Sequence, residues 1–140
     1  MLCGLLSSLL AVVMVFHFAG PLPQDLGVQQ GHLRACSQPQ HCARLQLVSD
    51  DPVGLFRALQ RSLDAMPRTQ RLTSDEAYVH AVATSALFGF ADDVELALDQ
   101  GARSVELRSE SRLGESDFGV NRRRLDQLLA GVNDGLPSSS

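Results

Sequence analysis

The feature that most constrains this chain is the run from Leu87 to Arg124, where apolar and polar side chains alternate on either side of a Gln-Gly pair and a helix start follows. Val94, Leu96 and Leu98 interleave with Glu95, Ala97 and Asp99, while Val105 and Leu107 interleave with Glu106 and Arg108. A period of two marks strands with one buried face, because successive side chains leave a strand on opposite sides. Gln100-Gly101 predicts a two-residue hairpin turn in which glycine supplies positive φ. That turn sets Leu98 against Arg103, Leu96 against Val105 and Val94 against Leu107, and so gathers the apolar residues on one face.

The same register parts two adjacent acids. Asp92 goes to the inner face with Phe90 and Val94, opposite Ser109 and one step from Ser111, whereas Asp93 goes to the solvent side opposite Arg108. An inward carboxylate is costly to desolvate unless it is paired or hydrogen-bonded. Ser109, Ser111 and an arginine of the following helix are its expected partners.

The length of 140 residues and the 44% hydrophobic content correspond to one domain with an N-terminal appendage. A net charge of −4 gives no general attraction to nucleic acid or anionic lipid. Every one of the 12 basic residues is arginine. Without lysine there is no P-loop, no Schiff base and no Ser-x-x-Lys nucleophile pair. Tyr78 is the single tyrosine and tryptophan is absent, which argues against a platform for stacking bases.

Met1 to Gly20 carries no charged side chain and is closed by Pro21-Leu22-Pro23, the pattern of an export signal or a retained membrane anchor. A basic start is missing, and His17-Phe18 before Ala19-Gly20 fits the small-x-small cleavage rule poorly, so these residues leave both readings open. Residues through Pro23 are assigned to that segment and Gln24 to Ala35 to a polar, Gly-containing linker. Cys36-Ser-Gln-Pro-Gln-His-Cys42 reads as a small disulfide loop; a metal set of Cys36, Cys42, His32 and His41 matches no common zinc spacing.

Asp50-Asp51-Pro52 is a helix start, and Leu55, Phe56, Leu59, Leu63 and Met66 follow at helical spacing until Pro67. Strands are expected over Arg68 to Thr73 and Ala77 to Ser85, with His80 in the second as a structural histidine rather than a general base. Leu87-Phe88-Gly89-Phe90 reads as a core corner, with an apolar lip over a pocket as the functional alternative. Ser116 or Asp117 caps a second helix that presents Phe118, Asn121, Leu125, Leu128, Leu129 and Val132 on one face and ends at Gly131 to Gly135. Asp117-Phe118-Gly119 spells a kinase tripeptide, but the lysine and catalytic loop that give it meaning are missing. The folded domain is assigned to Cys36 through Asn133, and the residues after Asn133 are expected to be a disordered tail.

CSQPQHC, SALFGFADDVELALD and VELRSESRLGESDFGVNRRR together resemble the domain of unknown function 1499 family of bacteria and plastid-bearing eukaryotes, over roughly Cys36 to Val132. The resemblance implies a two-cysteine loop near the start and, commonly, a preceding signal, lipoprotein or membrane segment. The chain departs from that pattern in a shorter connection between Cys42 and the first helix, where an edge strand would be missing. No mechanism comes with the resemblance.

Two sites compete. Arg108, Arg112, Arg122, Arg123 and Arg124 surround a helix start whose free N–H groups favour an anion, and Asp92, Ser109, Ser116, Asp117 and Asn121 lie among them. A structural ion-pair network is the preferred reading of that cluster, since the nearby acids neutralise it. Hydrolysis by Asp92, Ser109 or Ser111 with His80 lacks a nucleophile elbow and an oxyanion hole. No catalytic residue, cofactor or metal is assigned.

The expected architecture is α+β: an antiparallel four-stranded meander, Arg68 to Ser111, covered on one face by helices Pro52 to Met66 and Phe118 to Gly131, its other face partly exposed. The expected role is an extracytoplasmic or membrane-tethered accessory domain in the periplasm, cell envelope or plastid lumen. The alternative is a small hydrolase or carrier for an anionic ligand. Expected partners are a membrane, if the N-terminal segment is retained, and a small anion, with no nucleic acid.

Overall fold

The computed structural model describes residues 19–134; the apolar run before them and the residues after Asp134 lie outside it. Strands β1 (Val28–Gln29) and β2 (His32–Leu33) form a two-stranded ribbon. They precede β3 (Cys42–Val48), helix α1 (Pro52–Asp64), β4 (Thr69–Ser74), β5 (Tyr78–Thr84), β6 (Ala91–Asp99), β7 (Ser104–Ser111) and helix α2 (Val120–Asp134). The main sheet is antiparallel and five-stranded, in the order β3-β7-β6-β5-β4. The α+β class stands, but the sheet has five strands rather than four.

The added strand is β3, which pairs with β7 at one edge, Leu45 facing Leu107 and Leu47 facing Val105. Its alternation of Arg44 and Gln46 with Leu45 and Leu47 is the same period-two signal that marks β6 and β7, compressed into a segment short enough to pass for a connection. The stretch assigned to a linker contains the β1–β2 ribbon.

The hairpin between β6 and β7 is looser than the Gln-Gly pair suggests. Asp99 pairs with Ser104, so four residues make the turn, and Leu96 faces Leu107 while Leu98 faces Val105. Arg103, at φ 54°, takes the left-handed position, and the Asp99 carboxylate accepts from the Ala102 N–H at 2.9 Å. The expected pairing of Leu96 with Val105 is thus displaced by two residues. An even shift keeps every side chain on its expected face, and the apolar set survives the error. A two-residue Gln-Gly turn does occur at Gln30-Gly31, where φ is 53° and 84° between the paired residues Gln29 and His32.

Helix α1 begins where Asp51 accepts from the Gly54 N–H at 2.8 Å and Pro52 occupies the first turn. It buries Phe56, Leu59 and Leu63 against the sheet, and α2 buries Leu125 and Leu128 beside them. Val79, Ala81, Val94, Leu96, Val105 and Leu107 supply the facing side of this core. Gly131, expected to help end the second helix, lies inside α2. A Cβ there would fall 2.2 Å from the Ser62 Oγ, which donates to the Leu128 carbonyl at 2.9 Å, so the glycine lets the two helices come close.

Leu96 is fully buried between Val79 and Leu107, its cross-strand partners. Leu96→Ala is expected to lower stability by about 2–5 kcal/mol, the usual cost of lost burial plus a residual cavity. Urea unfolding should show an earlier midpoint at unchanged slope.

Candidate functional site

β6 is buried on both sides: no residue from Ala91 to Ala97 is solvent-accessible to a significant degree. The helix side of the strand is apolar except at Asp92, and the opposite side carries Asp93 and Glu95. The pleat therefore creates two separate polar clusters.

In the cluster beneath α2, the Arg124 Nη2 lies 2.7 Å from the Asp92 Oδ2. The Arg124 Nη1 donates to the Ser109 Oγ at 3.0 Å and to the Asn121 Oδ1 at 2.9 Å. Ser109 donates to the Asn121 Oδ1 at 2.6 Å, and the Asn121 amide donates to the Ser111 Oγ, the His41 carbonyl and the Asp117 carboxylate. Asp92 is inward and held by an arginine of the following helix, as its register requires, although its strand partner is Ser111 and not Ser109. Asp117 accepts from the Gly119 N–H at 2.7 Å and the Asn121 N–H at 3.0 Å, so the anion seat at the helix start holds the chain's own carboxylate. Burial raises the Asp117 carboxyl pKa, but the Asn121 and backbone bonds outweigh it and hold it below its ordinary value.

The second cluster lies on the face expected to be partly open to solvent. Asp93 is buried there, not exposed, and it faces Glu110 rather than Arg108. Its Oδ1 lies 2.8 Å from the His80 Nε2, and Arg112 clasps the carboxylate with two bonds of 2.9 Å. Glu95 accepts from the Tyr78 hydroxyl at 2.7 Å and from the Gly27 N–H at 2.8 Å, with the Arg108 Nη1 at 3.5 Å. Glu106 accepts from the Leu33 N–H at 2.7 Å and the Arg44 Nη2 at 2.9 Å, and its Oε1 lies 2.7 Å from the His32 Nδ1. Glu110 takes both Arg108 and Arg34. Gly27, His32, Leu33 and Arg34 belong to the segment before β3, so this segment forms a strap across the sheet. The Cys36–Cys42 disulfide, with Cα atoms 5.6 Å apart, fastens it to the start of β3 and removes both thiols from the metal alternative.

The residues singled out from sequence therefore divide. Asp92, Ser109, Asn121 and Arg124 meet under α2, with Asp117 at its cap; Arg108 and Arg112 lie on the opposite face. Arg122 pairs with Asp126 along the helix surface at 3.2 Å, Arg123 donates to the Phe118 carbonyl at 2.9 Å, and Ser116 accepts from the Phe118 N–H at 3.3 Å. The burial of Asp93, Glu95 and Glu106 was missed because a face that alternates to charge reads as solvated. Their spacing is the same on a solvated face, so no local signal marked them.

Chemically, the His80–Asp93 pair resembles the base and its orienting acid in a catalytic triad, yet Arg112 holds the acid and no hydroxyl bonds the imidazole among the described residues. A cavity of about 420 Å³ lies between the helices, its apolar lining made by Ala58, Ala65, Met66, Pro67 and Val132. A smaller one of about 170 Å³ lies between β4, β5 and α2, bordered by Arg68, Thr69, Thr84, Arg123, Arg124 and Gln127. Among the described residues, no three His, Cys, Asp or Glu side chains gather in a metal-binding arrangement.

Fold and clusters together define a small α+β domain whose sheet is covered by helices on one side and by a disulfide-fastened, charge-paired strap on the other. The chain belongs to the family described as Protein of unknown function (DUF1499), whose profile matches residues 23–132. It is also similar to the large ribosomal subunit protein uL6 of Chelativorans sp. (strain BNC1), with 41% identity over 45 residues, 32% of this chain. The match covers 25% of that ribosomal protein's length.

The strap makes a prediction about acid. Burial raises the Asp93 and Glu106 carboxyls, but His80 and Arg112 outweigh it for Asp93, as His32, the Leu33 N–H and Arg44 do for Glu106. Both are held below their ordinary values of 3.8 and 4.5. A depressed folded pKa stabilises the fold above the ordinary value and loses that contribution as pH falls toward the folded one. The Leu33 amide should therefore lose its bonded resonance as pH drops below 4.5, and Glu106→Gln should remove its share of that dependence. An amide signal at Leu33 that follows the same acid profile in both proteins would contradict the strap's dependence on Glu106.

Proposed function

We propose that this protein is a non-catalytic accessory domain, exported and held at the outer side of a membrane by its N-terminal apolar segment. The observation that carries this reading is the Cys36–Cys42 disulfide at the root of the strap, since such a bond persists in oxidising compartments. The uncharged run Met1 to Gly20 supplies a route to such a compartment, and the poor cleavage pattern at His17-Phe18 favours its retention. Among the described residues no helix is long and apolar enough to cross a membrane. The non-catalytic part rests on the polar clusters, whose charged members are paired with one another. The net charge of −4 argues against carrying a ribosomal role over from the uL6 match, because binding RNA needs cationic surface.

Expressed in a bacterial host with its full N-terminus, the protein should sediment with membranes and yield to protease added outside spheroplasts. Its Cys36 and Cys42 should resist alkylation until reduced. Recovery from the cytosol with both thiols alkylated would overturn the reading.

A second reading, a carrier for a small anion, is favoured by the cavity beside Arg68, Arg123 and Arg124. Hydrolysis there is disfavoured because the Thr69 and Thr84 hydroxyls donate to the Pro67 and Arg68 carbonyls. Thermal unfolding separates structure from binding. Asp92→Asn, which leaves a buried Arg124 without its counter-charge, should cost about 3–5 kcal/mol whether or not phosphate is present. Stabilisation by phosphate that vanishes in Asp92→Asn, with unfolding otherwise unchanged, would make that cluster a binding site.

A further inference from the structure

The loops that follow β5 and β7 lie at one end of the sheet, because Thr84 pairs with Ala91 and the Arg112 N–H donates to the Ala91 carbonyl at 3.0 Å. That end carries large apolar side chains turned outward. Leu87 is 81% exposed and Phe118 85%, with Phe88 and Leu113 also exposed. The core corner expected at Leu87-Phe88-Gly89-Phe90 is thus an exposed tip. Its two phenylalanine rings lie against each other with centroids 5.7 Å apart. Phe118 holds its position at φ 52°, a left-handed conformation that bulky residues rarely adopt, so the fold maintains backbone strain at a residue it does not bury.

The chain outside the described residues ends at the same place. Gly20 sits beside Leu113, where a Cβ would lie 2.9 Å from the leucine Cγ, and its carbonyl is 3.5 Å from the Arg112 Nη1. The run of uncharged residues before Ala19 therefore joins the domain at the apolar tip. Nearby charge is not acidic in balance: exposed Arg68 donates to the Thr84 carbonyl and Arg123 to the Phe118 carbonyl. Of the acids close by, Asp117 caps α2 and Asp126 pairs with Arg122, while Glu115 is exposed.

We infer that this end of the sheet docks into the interface of a phospholipid bilayer, with Leu87, Phe88 and Phe118 entering the acyl boundary and Arg68 and Arg123 at headgroup level. Aromatic and leucine side chains favour that boundary, and guanidinium groups suit the phosphates above it. The inference rests on the membrane-held reading above and adds the face that meets the lipid. The net negative charge opposes adsorption by charge alone, so the apolar tip is the main contact.

The test uses the full chain with Cys3→Ser, reconstituted in phosphatidylcholine–phosphatidylglycerol vesicles. An environment-sensitive fluorophore is attached through Leu87→Cys or, at the opposite end of the sheet, Ala102→Cys. The fluorophore at position 87 should shift to the blue only when vesicles are present, and nitroxide lipids should quench it several-fold more than the one at 102. Failure of the protein to float with vesicles overturns both the tether and the docking. Flotation with equal, weak quenching at both positions overturns the docking alone. A blue shift at 87 already present without lipid places residues 1–18 or a second copy of the chain on the tip, and also overturns it.

Discussion

Everything else in this fold depends on how β6 disposes of two neighbouring acids. Asp92 and Asp93 are adjacent in the chain, so the pleat sends them to opposite sides of a strand buried on both. Neither can be left uncompensated in a low-dielectric interior. Arg124 descends from α2 to meet Asp92, and Arg112, just beyond β7, turns back to meet Asp93. The two guanidinium groups fix the cover on each side of the sheet: one sets the position of α2, and the other lies where the N-terminal chain comes onto the opposite face.

That second cover is unlike the first. The helices bury Phe56, Leu59, Leu63, Leu125 and Leu128, a contact whose strength scales with area and tolerates small changes in geometry. The strap buries one leucine, Leu33, and is otherwise held by Glu95, Glu106 and Glu110. Contacts of that kind are directional and lose their value when one member is removed or protonated. Arginine suits the role because its planar fork bonds two oxygens at once and stays charged when desolvated. The all-arginine basic composition is well matched to a sheet face covered by ion pairs. Arg108 shows the limit of the arrangement: it is buried between Glu95 and Glu110, and its Nε has no hydrogen-bond partner among the described residues.

The apolar half of this architecture was readable in the sequence. Alternation placed Val94, Leu96, Val105 and Leu107 on one face, and helical spacing placed Phe56, Leu59, Leu63, Leu125 and Leu128 against it, because both signals depend only on local geometry. The inward turn of Asp92 and its arginine partner followed from the same period. The polar half was not readable. A strand face bearing Asp93, Glu95, Glu106 and Arg108 has the same local pattern whether water or another part of the chain covers it. What decides is a segment sixty or more residues away, Gly27 to Arg34, whose backbone amides carry no sequence signature. The turn register failed for a related reason. Gln-Gly permits a two-residue turn, and the chain uses one at Gln30-Gly31, but at Gln100-Gly101 the Asp99 carboxylate bonds the Ala102 N–H and Arg103 accepts the left-handed position, giving a longer loop.

The strap also links the polar face to the N-terminal chain. The Arg112 Nε and Nη2 bond Asp93, while its Nη1 reaches the Gly20 carbonyl at the apolar end of the sheet. From Gly20 the chain runs across the charged face through Gly27 and Leu33, and the disulfide then returns it to β3. The N-terminal chain is therefore tied to Arg112 and to the strap's carboxylate partners before the disulfide joins it to Cys42, so the charged layer lies between that chain and the apolar core.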